Sequence, residues 1–409
     1  MDRVSKNMKP TVYFVTPWFG TFAGGFESAF RLLERRVASC GYTTVVLTTN
    51  SESPYLDWWT RTVPTGESEF EGAKVLRFQV DTENRDLYHR TVARKIAGSE
   101  ITLEDQRNFF RYGINSQQLI SYCSGLPADA IILAGPYYQS LTVTLTLALP
   151  SRVVVMPAFH DEDEMHWEPI QNLVRSAKSL VFFSEEEKLL AIREFGTKVG
   201  RSLVESVVSG LGVELTPSVE RCLANAEEVQ ATKSKHGIKG RYFVYVGRVD
   251  KGKGLQFLIE DFLSWKDLEE PGSSDVCLLI VGTGDMSFIP TSPSILATGF
   301  VSAEEKFSLL SGAVALINPS QNESFSFVIM EAWLLGVPVL VHEWCAVTKG
   351  HVDRSQGGLY FSNSKELAVE LSMLLEETTA KALGEQGRAY VNRNFRWSVV
   401  VDKLIGAMN

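Results

Sequence analysis

The chain has 409 residues, which suits two or three domains of ordinary size. Hydrophobic residues make up 44% and charged residues 22%, the profile of a globular chain that buries its own core, and one that excludes a fibrous or disordered protein. The formal net charge of −9 argues against nucleic acid as the main partner, so a phosphate ligand would have to be met by a few local cations.

In chain order, the first apolar run, Thr11–Thr16, ends at Pro17 and is too short for a secretory leader. It reads as a strand, followed by a helix at Phe26–Ser39. Further strands are expected at Thr44–Thr48, Ala130–Ala134, Arg152–Met156, Leu180–Phe183 and Leu203–Val208. A polar, helix-prone stretch, Pro217–Lys239, then interrupts the series. Strands resume at Tyr242–Val246, Val276–Val281, Val314–Asn318 and Val337–Val341, with helices at Leu255–Ser264, Ala303–Ser311 and Lys365–Glu376. Many of the strands are apolar without alternation, as parallel strands buried on both faces are. Strand–helix alternation of this kind implies a doubly wound α/β fold. No apolar run reaches the ~20 residues of a membrane span. The five cysteines, Cys40, Cys123, Cys222, Cys277 and Cys345, are scattered without a C-x-x-C pair, which points to a reducing compartment rather than to zinc or disulfides. A cytoplasmic protein is expected, with peripheral contact to the inner face of a membrane left open.

One stretch is unlike the rest. Between Arg85 and Arg111 lie Arg85, Arg90, Arg94, Lys95, Arg107 and Arg111, with Phe109-Phe110 inside and Trp58-Trp59 upstream. It reads as a solvated helical insertion, or as an acceptor-side flap or a patch for anionic lipid headgroups.

Three loops carry chemistry. After the first strand, Gly24-Gly25 opens a helix, where backbone N–H groups approach a ligand closely and the helix N-terminus favours an anion. Alone, such a pair is a weak signal, more often only a turn. After Tyr242–Val246 comes Gly247-Arg248-Val249-Asp250-Lys251-Gly252-Lys253-Gly254. Ligands bind at strand ends of this kind in open α/β sheets. Arg248 can grip a phosphate bidentately and Lys253 adds a point charge. No G-x-x-x-x-G-K-[ST] occurs, so ATP hydrolysis is not supported. After Val314–Asn318, Glu323 falls in a loop and Glu331 in the following helix, with Ser326 as the expected N-cap. Two carboxylates so placed can accept hydrogen bonds from two hydroxyls of one ligand, as sugars and riboses demand.

Together these motifs resemble the group 1 retaining glycosyltransferases of the GT-B fold. The E-x7-E signature is Glu323 to Glu331, and the G-R-x-x-x-x-K-G signature is Gly247, Arg248, Lys253 and Gly254. Gly24-Gly25-Phe26-Glu27 is similar to the family's glycine loop, and Val281-Gly282-Thr283-Gly284 to its V-G-x-G strand end. Ser209-Gly210-Leu211-Gly212-Val213-Glu214 is similar to its interdomain N-G-V-D segment, with Glu in place of Asp. His160-Asp161-Glu162, with Trp59, Gly66-Glu67, Val75–Phe78 and Arg85-Asp86, resembles the subgroup that builds bacterial surface polysaccharides. Many family members have Gly where this chain has Ser326.

The resemblance implies two Rossmann-like doubly wound domains facing a central cleft. The first is expected at 1–214, binding acceptor, with a C-terminal segment 395–409 packing back on it. The second, at 215–394, would bind the nucleotide-sugar donor. It further implies transfer of a hexose, from GDP-mannose or a UDP-sugar, to a hydroxyl of a glycan or lipid-linked saccharide, with retention. The expected catalytic residues are Glu323, Arg248, Lys253 and His160. The expected donor-binding residues are Gly24, Gly25, Gly247, Arg248, Lys253, Gly282, Ser326, Phe327 and Glu331. No cofactor or metal is implied, although His160, Asp161, Asp163 and His166 could be read as ligands. The alternatives are a non-transferring sugar-nucleotide enzyme such as an epimerase, or an inactive sugar-nucleotide binder.

Overall fold

The computed structural model describes residues 9–21, 25–196, 203, 205–269 and 271–408. The chain divides into two units, one within Met1–Gly210 and Val401–Asn409, the other Leu211–Val400.

The first unit is built on strands β1 (Val12–Val15), β2 (Thr44–Thr49), β3 (Gly66–Phe70), β4 (Ala73–Phe78), β5 (Ile131–Ala134), β6 (Val153–Val155), β7 (Ser179–Phe182) and β8 (Val207–Val208). Their order is β3-β4-β2-β1-β5-β6-β7-β8, all parallel except the β3–β4 hairpin. The interior strands are apolar at nearly every position because helices cover both faces of the sheet. The edge strand β3, Gly-Glu-Ser-Glu-Phe, is mostly exposed, which is why no apolar pattern announced it. Among the described residues of the expected strand Leu203–Val208, Val207–Val208 pair with β7. The basic stretch forms helices Arg85–Ile96 and Leu103–Tyr112, the second opened by a Thr102–Asp105 capping box.

The second unit carries β9 (Tyr242–Val246), β10 (Cys277–Val281), β11 (Ile295–Gly299), β12 (Leu316–Asn318), β13 (Val339–His342) and β14 (Gly358–Phe361). Their order is β11-β10-β9-β12-β13-β14, parallel throughout. Pro217–Ala224 and Ala226–Lys235 are two helices that precede β9. Helix Phe327–Leu335 is apolar almost all round because it is enclosed. Trp333 is fully buried, donates its indole N–H to the Gly357 carbonyl at 2.7 Å, and packs on Gly387.

Both orders reverse direction at the first strand of their unit, between β1 and β5 and between β9 and β12. The loops leaving two such strands diverge, opening a crevice at their carboxyl ends where open α/β sheets bind ligands.

Candidate functional site

In the second unit the loops after β9 and β12 are the two that hold the motifs. The β9 loop runs on beside β10: Gly247 N–H donates to the Val281 carbonyl at 3.0 Å, and Val249 N–H to the Thr283 carbonyl at 2.8 Å. This approach requires glycine at 282 and 284. Their φ angles are +144° and +150°, and a Cβ at either would overlap the carbonyl of Gly247 or Val249. Gly254, at φ +74°, brings the end of the same loop against the Pro319 carbonyl, so the two motif loops touch.

Lys253 Nζ bridges them, 2.8 Å from Glu323 Oε1, with the two side chains 33% and 19% exposed. Arg248 keeps its side chain 67% exposed and places Nε 3.2 Å from Asp250 Oδ2. Asp250 is itself fixed by the Gly252 N–H at 2.7 Å. Glu331 lies in helix Phe327–Leu335 and is gripped at both oxygens by Lys306 Nζ, 2.7 Å from each. Lys306, from helix Ala303–Ser311, was not legible as a site residue, because a lysine in an amphipathic helix carries no signal of its own.

Ser326 corrects an expectation. It occupies the N-cap position, but at φ +64° and ψ 82° its hydroxyl makes no cap hydrogen bond. The hydroxyl instead accepts from Asn318 Nδ2 at 2.9 Å. A left-handed residue here explains why glycine suits the position. Phe327 opens the helix, whose first N–H groups have no intrahelical acceptor. The loop is anchored by Phe325, 2% exposed, whose ring packs edge-on against His351 and Phe395 at 5.6 and 5.2 Å. His351 Nδ1 lies 3.0 Å from the Tyr390 hydroxyl. Burial, with the charge of Arg354 second, pulls its imidazole down to about 3.

In the first unit, Gly24 lies outside the described residues. Gly25 is exposed at the start of helix Gly25–Ser39. His160 is half-buried in the turn after β6, and its carbonyl accepts the Glu162 N–H at 2.9 Å. Asp161 pairs with Arg193 at 2.6 Å and lies 3.6 Å from His166. The turn is held by Glu187, whose carboxyl accepts the Phe159 N–H at 2.8 Å and the Phe183 N–H at 2.7 Å. Burial pushes that carboxyl up to about 8. Its sequence signal was the Ser184–Glu187 spacing at a helix start, a capping pattern that does not announce a tie to Phe159. Among the described residues, no group of three or more His, Cys, Asp or Glu is arranged to hold a metal ion. Nor, among them, is any helix long and apolar enough to cross a membrane.

The motif loops, the β9–β12 switch point and their charged pairs lie inside a stretch, residues 240–377, that matches the family model described as "Glycosyl transferases group 1". The chain carries a group 1 glycosyltransferase domain. A curated relative, the capsular polysaccharide biosynthesis glycosyltransferase CapM of Staphylococcus aureus, is 26% identical over 176 residues. That alignment takes in 40% of this chain and 45% of the relative, so the chain spans less than half the length of that protein. Among solved structures, sucrose-phosphate synthase from Thermosynechococcus elongatus is similar with a TM-score of 0.67 at 15% identity, covering 97% of each chain. HepE of Anabaena, solved in complex with UDP-glucose, is similar with a TM-score of 0.64 at 14% identity, over 97% of this chain and 98% of its own. At such identities the likeness speaks to fold, and the fold of this group 1 domain and its companion unit is GT-B.

Proposed function

We propose that the protein is a retaining glycosyltransferase that moves a hexose from a UDP- or GDP-linked donor to a hydroxyl of a glycan or lipid-linked saccharide, in the making of a cell-surface polysaccharide. The observation that carries this reading is the Lys253–Glu323 link at the β9–β12 switch point, with the exposed side chain of Arg248 beside it. A cation there meets a diphosphate, and a carboxylate there meets sugar hydroxyls.

In this reading Glu331 accepts hydrogen bonds from the ribose and Glu323 from the donor sugar. The bond from the sugar's anomeric carbon to the diphosphate oxygen breaks, and a bond to the acceptor oxygen forms on the same face. The departing phosphate oxygen takes the acceptor's proton. Arg248 and Lys253 stabilise the charge that develops on the leaving diphosphate, a role that a preorganised cation fills without reorganisation cost. They carry the charge a divalent ion would otherwise carry, so the reaction needs no metal. Gly25 N–H and His160 keep the roles their motifs suggest, an anion contact and a sugar contact. The name of CapM supports a polysaccharide product, and the UDP-glucose complex of HepE supports a nucleoside-diphosphate hexose as donor.

The test is thermal stabilisation by UDP, GDP, ADP and dTDP, with magnesium and with a chelator, on wild type and Arg248→Ala. A ligand that binds only the folded chain must raise the melting temperature. One diphosphate should stabilise the wild type without metal and lose most of that effect in the variant. If none of the four does so, the donor-site assignment falls.

A further inference from the structure

The first unit has a switch point of its own, and it is lined unlike the charged one. A cavity of about 340 Å³ opens at the carboxyl ends of β1, β2 and β5. Its walls are Trp18, Tyr55, Trp58, Tyr88, Phe109 and Tyr138, drawn from five separate segments of the chain. The rings support one another: Trp18 meets Trp58 at 5.2 Å, Trp58 meets Tyr88 at 5.6 Å, and Tyr88 meets Phe109 at 5.0 Å between centroids. Both indole N–H groups are already used, Trp18 toward Ser51 Oγ at 3.0 Å and Trp58 toward the Pro54 carbonyl at 3.1 Å. Trp58, half-buried, therefore offers carbon surface rather than a donor, and the buried Trp18 backs it. Tyr55 and Tyr138 are 65% and 44% exposed, unusually open for such large rings.

Polar groups are few. Gln139 and Ser140 are buried in the lining, the Ser140 hydroxyl donating to the Phe109 carbonyl at 3.2 Å, and Glu27 comes from the first turn of helix Gly25–Ser39. Burial raises the Glu27 carboxyl above its ordinary range. Among the described lining residues there is no Lys, Arg or His. Three cations of helices Arg85–Ile96 and Leu103–Tyr112 are paired with carboxylates: Arg94 with Asp105, Lys95 with Glu164, and Arg107 with Glu168. A phosphate or an anionic lipid headgroup would meet the Glu27 carboxyl and no cation among the described lining residues.

We propose that this cavity holds an uncharged pyranose ring, the terminal sugar of the acceptor. A pyranose has one face of C–H bonds and an edge of hydroxyls. The aromatic wall suits the face, and Glu27, Gln139 and the tyrosine hydroxyls suit the edge, the mostly apolar lining with few polar groups that small-molecule sites share. The acceptor role rests on the glycosyltransferase reading above, while the ring-binding chemistry rests on the cavity itself.

Saturation-transfer NMR on the full chain tests it, with methyl α-glucopyranoside, methyl α-mannopyranoside and methyl α-galactopyranoside beside their 6-phosphates. Wild type, Trp58→Ala, Tyr138→Ala and Glu27→Gln are compared, and UDP and GDP melting shifts are read on the same samples. At least one neutral glycoside should bind, at least tenfold more tightly than its 6-phosphate, and Tyr138→Ala, which removes a half-exposed ring, should weaken it about as much as Trp58→Ala. Phosphates binding as well as neutral rings, or binding untouched by both aromatic variants, would overturn the proposal. Nucleotide stabilisation without glycoside binding would also overturn it while leaving the transferase reading intact. Glycoside binding without nucleotide stabilisation would uphold the cavity and sink the transferase reading.

Discussion

Around the β9–β12 switch point the second unit gathers Arg248, Lys253, Lys306, Glu323 and Glu331, already paired into salt bridges or poised beside a carboxylate. Around the β1–β5 switch point the first unit gathers aromatic rings and, among the described lining residues, one carboxyl, Glu27. The same sheet topology thus presents two crevices of opposite chemistry. One is suited to a ligand whose charge must be balanced, the other to a ligand whose faces must be covered. Charge pairing fixes orientation at long range and is screened by salt. Ring stacking is short-ranged, nearly indifferent to salt, and sensitive to shape.

The largest expected effect separates the two crevices by turnover. Removing one preorganised group that stabilises developing charge costs on the order of 10²–10³ in kcat. Arg248→Ala and Lys253→Ala should each fall in that range, with circular dichroism unchanged. Lys253→Ala should also release Glu323 from its partner, so its loss should be at least as large as that of Arg248→Ala. Truncation of the first unit's Tyr138 should instead raise KM for acceptor and leave nucleotide binding alone. A Tyr138→Ala variant that loses nucleotide stabilisation would break the comparison.

Salt sharpens it further. Raising sodium chloride from 0.05 to 0.5 M shortens the screening length from above 10 Å to a few Å. Nucleoside-diphosphate binding, read by calorimetry, should weaken several-fold over that range. Glycoside binding, read by NMR, should change by less than about twofold. Parallel weakening of both would mean that the aromatic cavity draws on charge after all.

The two crevices differ in how much of them the sequence discloses. The charged one is carried by contiguous motifs, so Gly247, Arg248, Lys253, Glu323 and Glu331 could be singled out from spacing alone. Gly282 was singled out through its likeness to the family's V-G-x-G strand end, and the structure supplies the reason: a Cβ there would overlap the Gly247 carbonyl. The aromatic one is assembled from positions 18, 55, 58, 88, 109 and 138, whose proximity depends on strand order and not on spacing. The Trp58-Trp59 and Phe109-Phe110 pairs hinted at it, yet one ring of the first pair, Trp59, is buried in packing. In the fold, the apolar interior strands were legible. The hairpin β3–β4 and strands β11 and β14 were not, since their residues are polar, short or half-exposed and strand pairing alone defines them.

Acid and alkali should probe the scaffolds of the two units in opposite senses. His351, under the Phe325 anchor, is held neutral down to about 3, whereas a free imidazole protonates near 6.5. Between those values the unfolded chain binds a proton and the folded chain does not. The stability involved is therefore present above pH 6.5 and lost as pH falls toward 3. Glu187, beneath the His160 turn, has its carboxyl raised from 4.5 to about 8. There the folded chain holds the proton, so that contribution is full below pH 4.5 and lost as pH rises through 8. Melting temperatures from pH 4 to pH 9 should show His351→Phe flattening the acid limb and Glu187→Gln flattening the alkaline one. Unchanged slopes in both variants would mean that neither group titrates as its surroundings direct.

The smallest expected effect concerns Ser326. A non-glycine residue at φ +64° costs roughly 1–2 kcal/mol relative to the right-handed region. Replacing it with glycine relieves that strain. The change also removes the Asn318–Ser326 hydrogen bond, worth about 1 kcal/mol, and frees the unfolded chain by about 0.5–1 kcal/mol. These terms nearly cancel, so Ser326→Gly should shift the melting temperature by no more than about 4 °C in either direction. Ser326→Val keeps neither advantage. It loses the hydroxyl and puts a β-branched side chain where the backbone is left-handed, and it should cost more than about 2 kcal/mol. A valine variant as stable as the glycine one would show that backbone conformation does not govern this position. A glycine variant well below wild type would show instead that the Asn318 bond is what holds the loop between Glu323 and its helix.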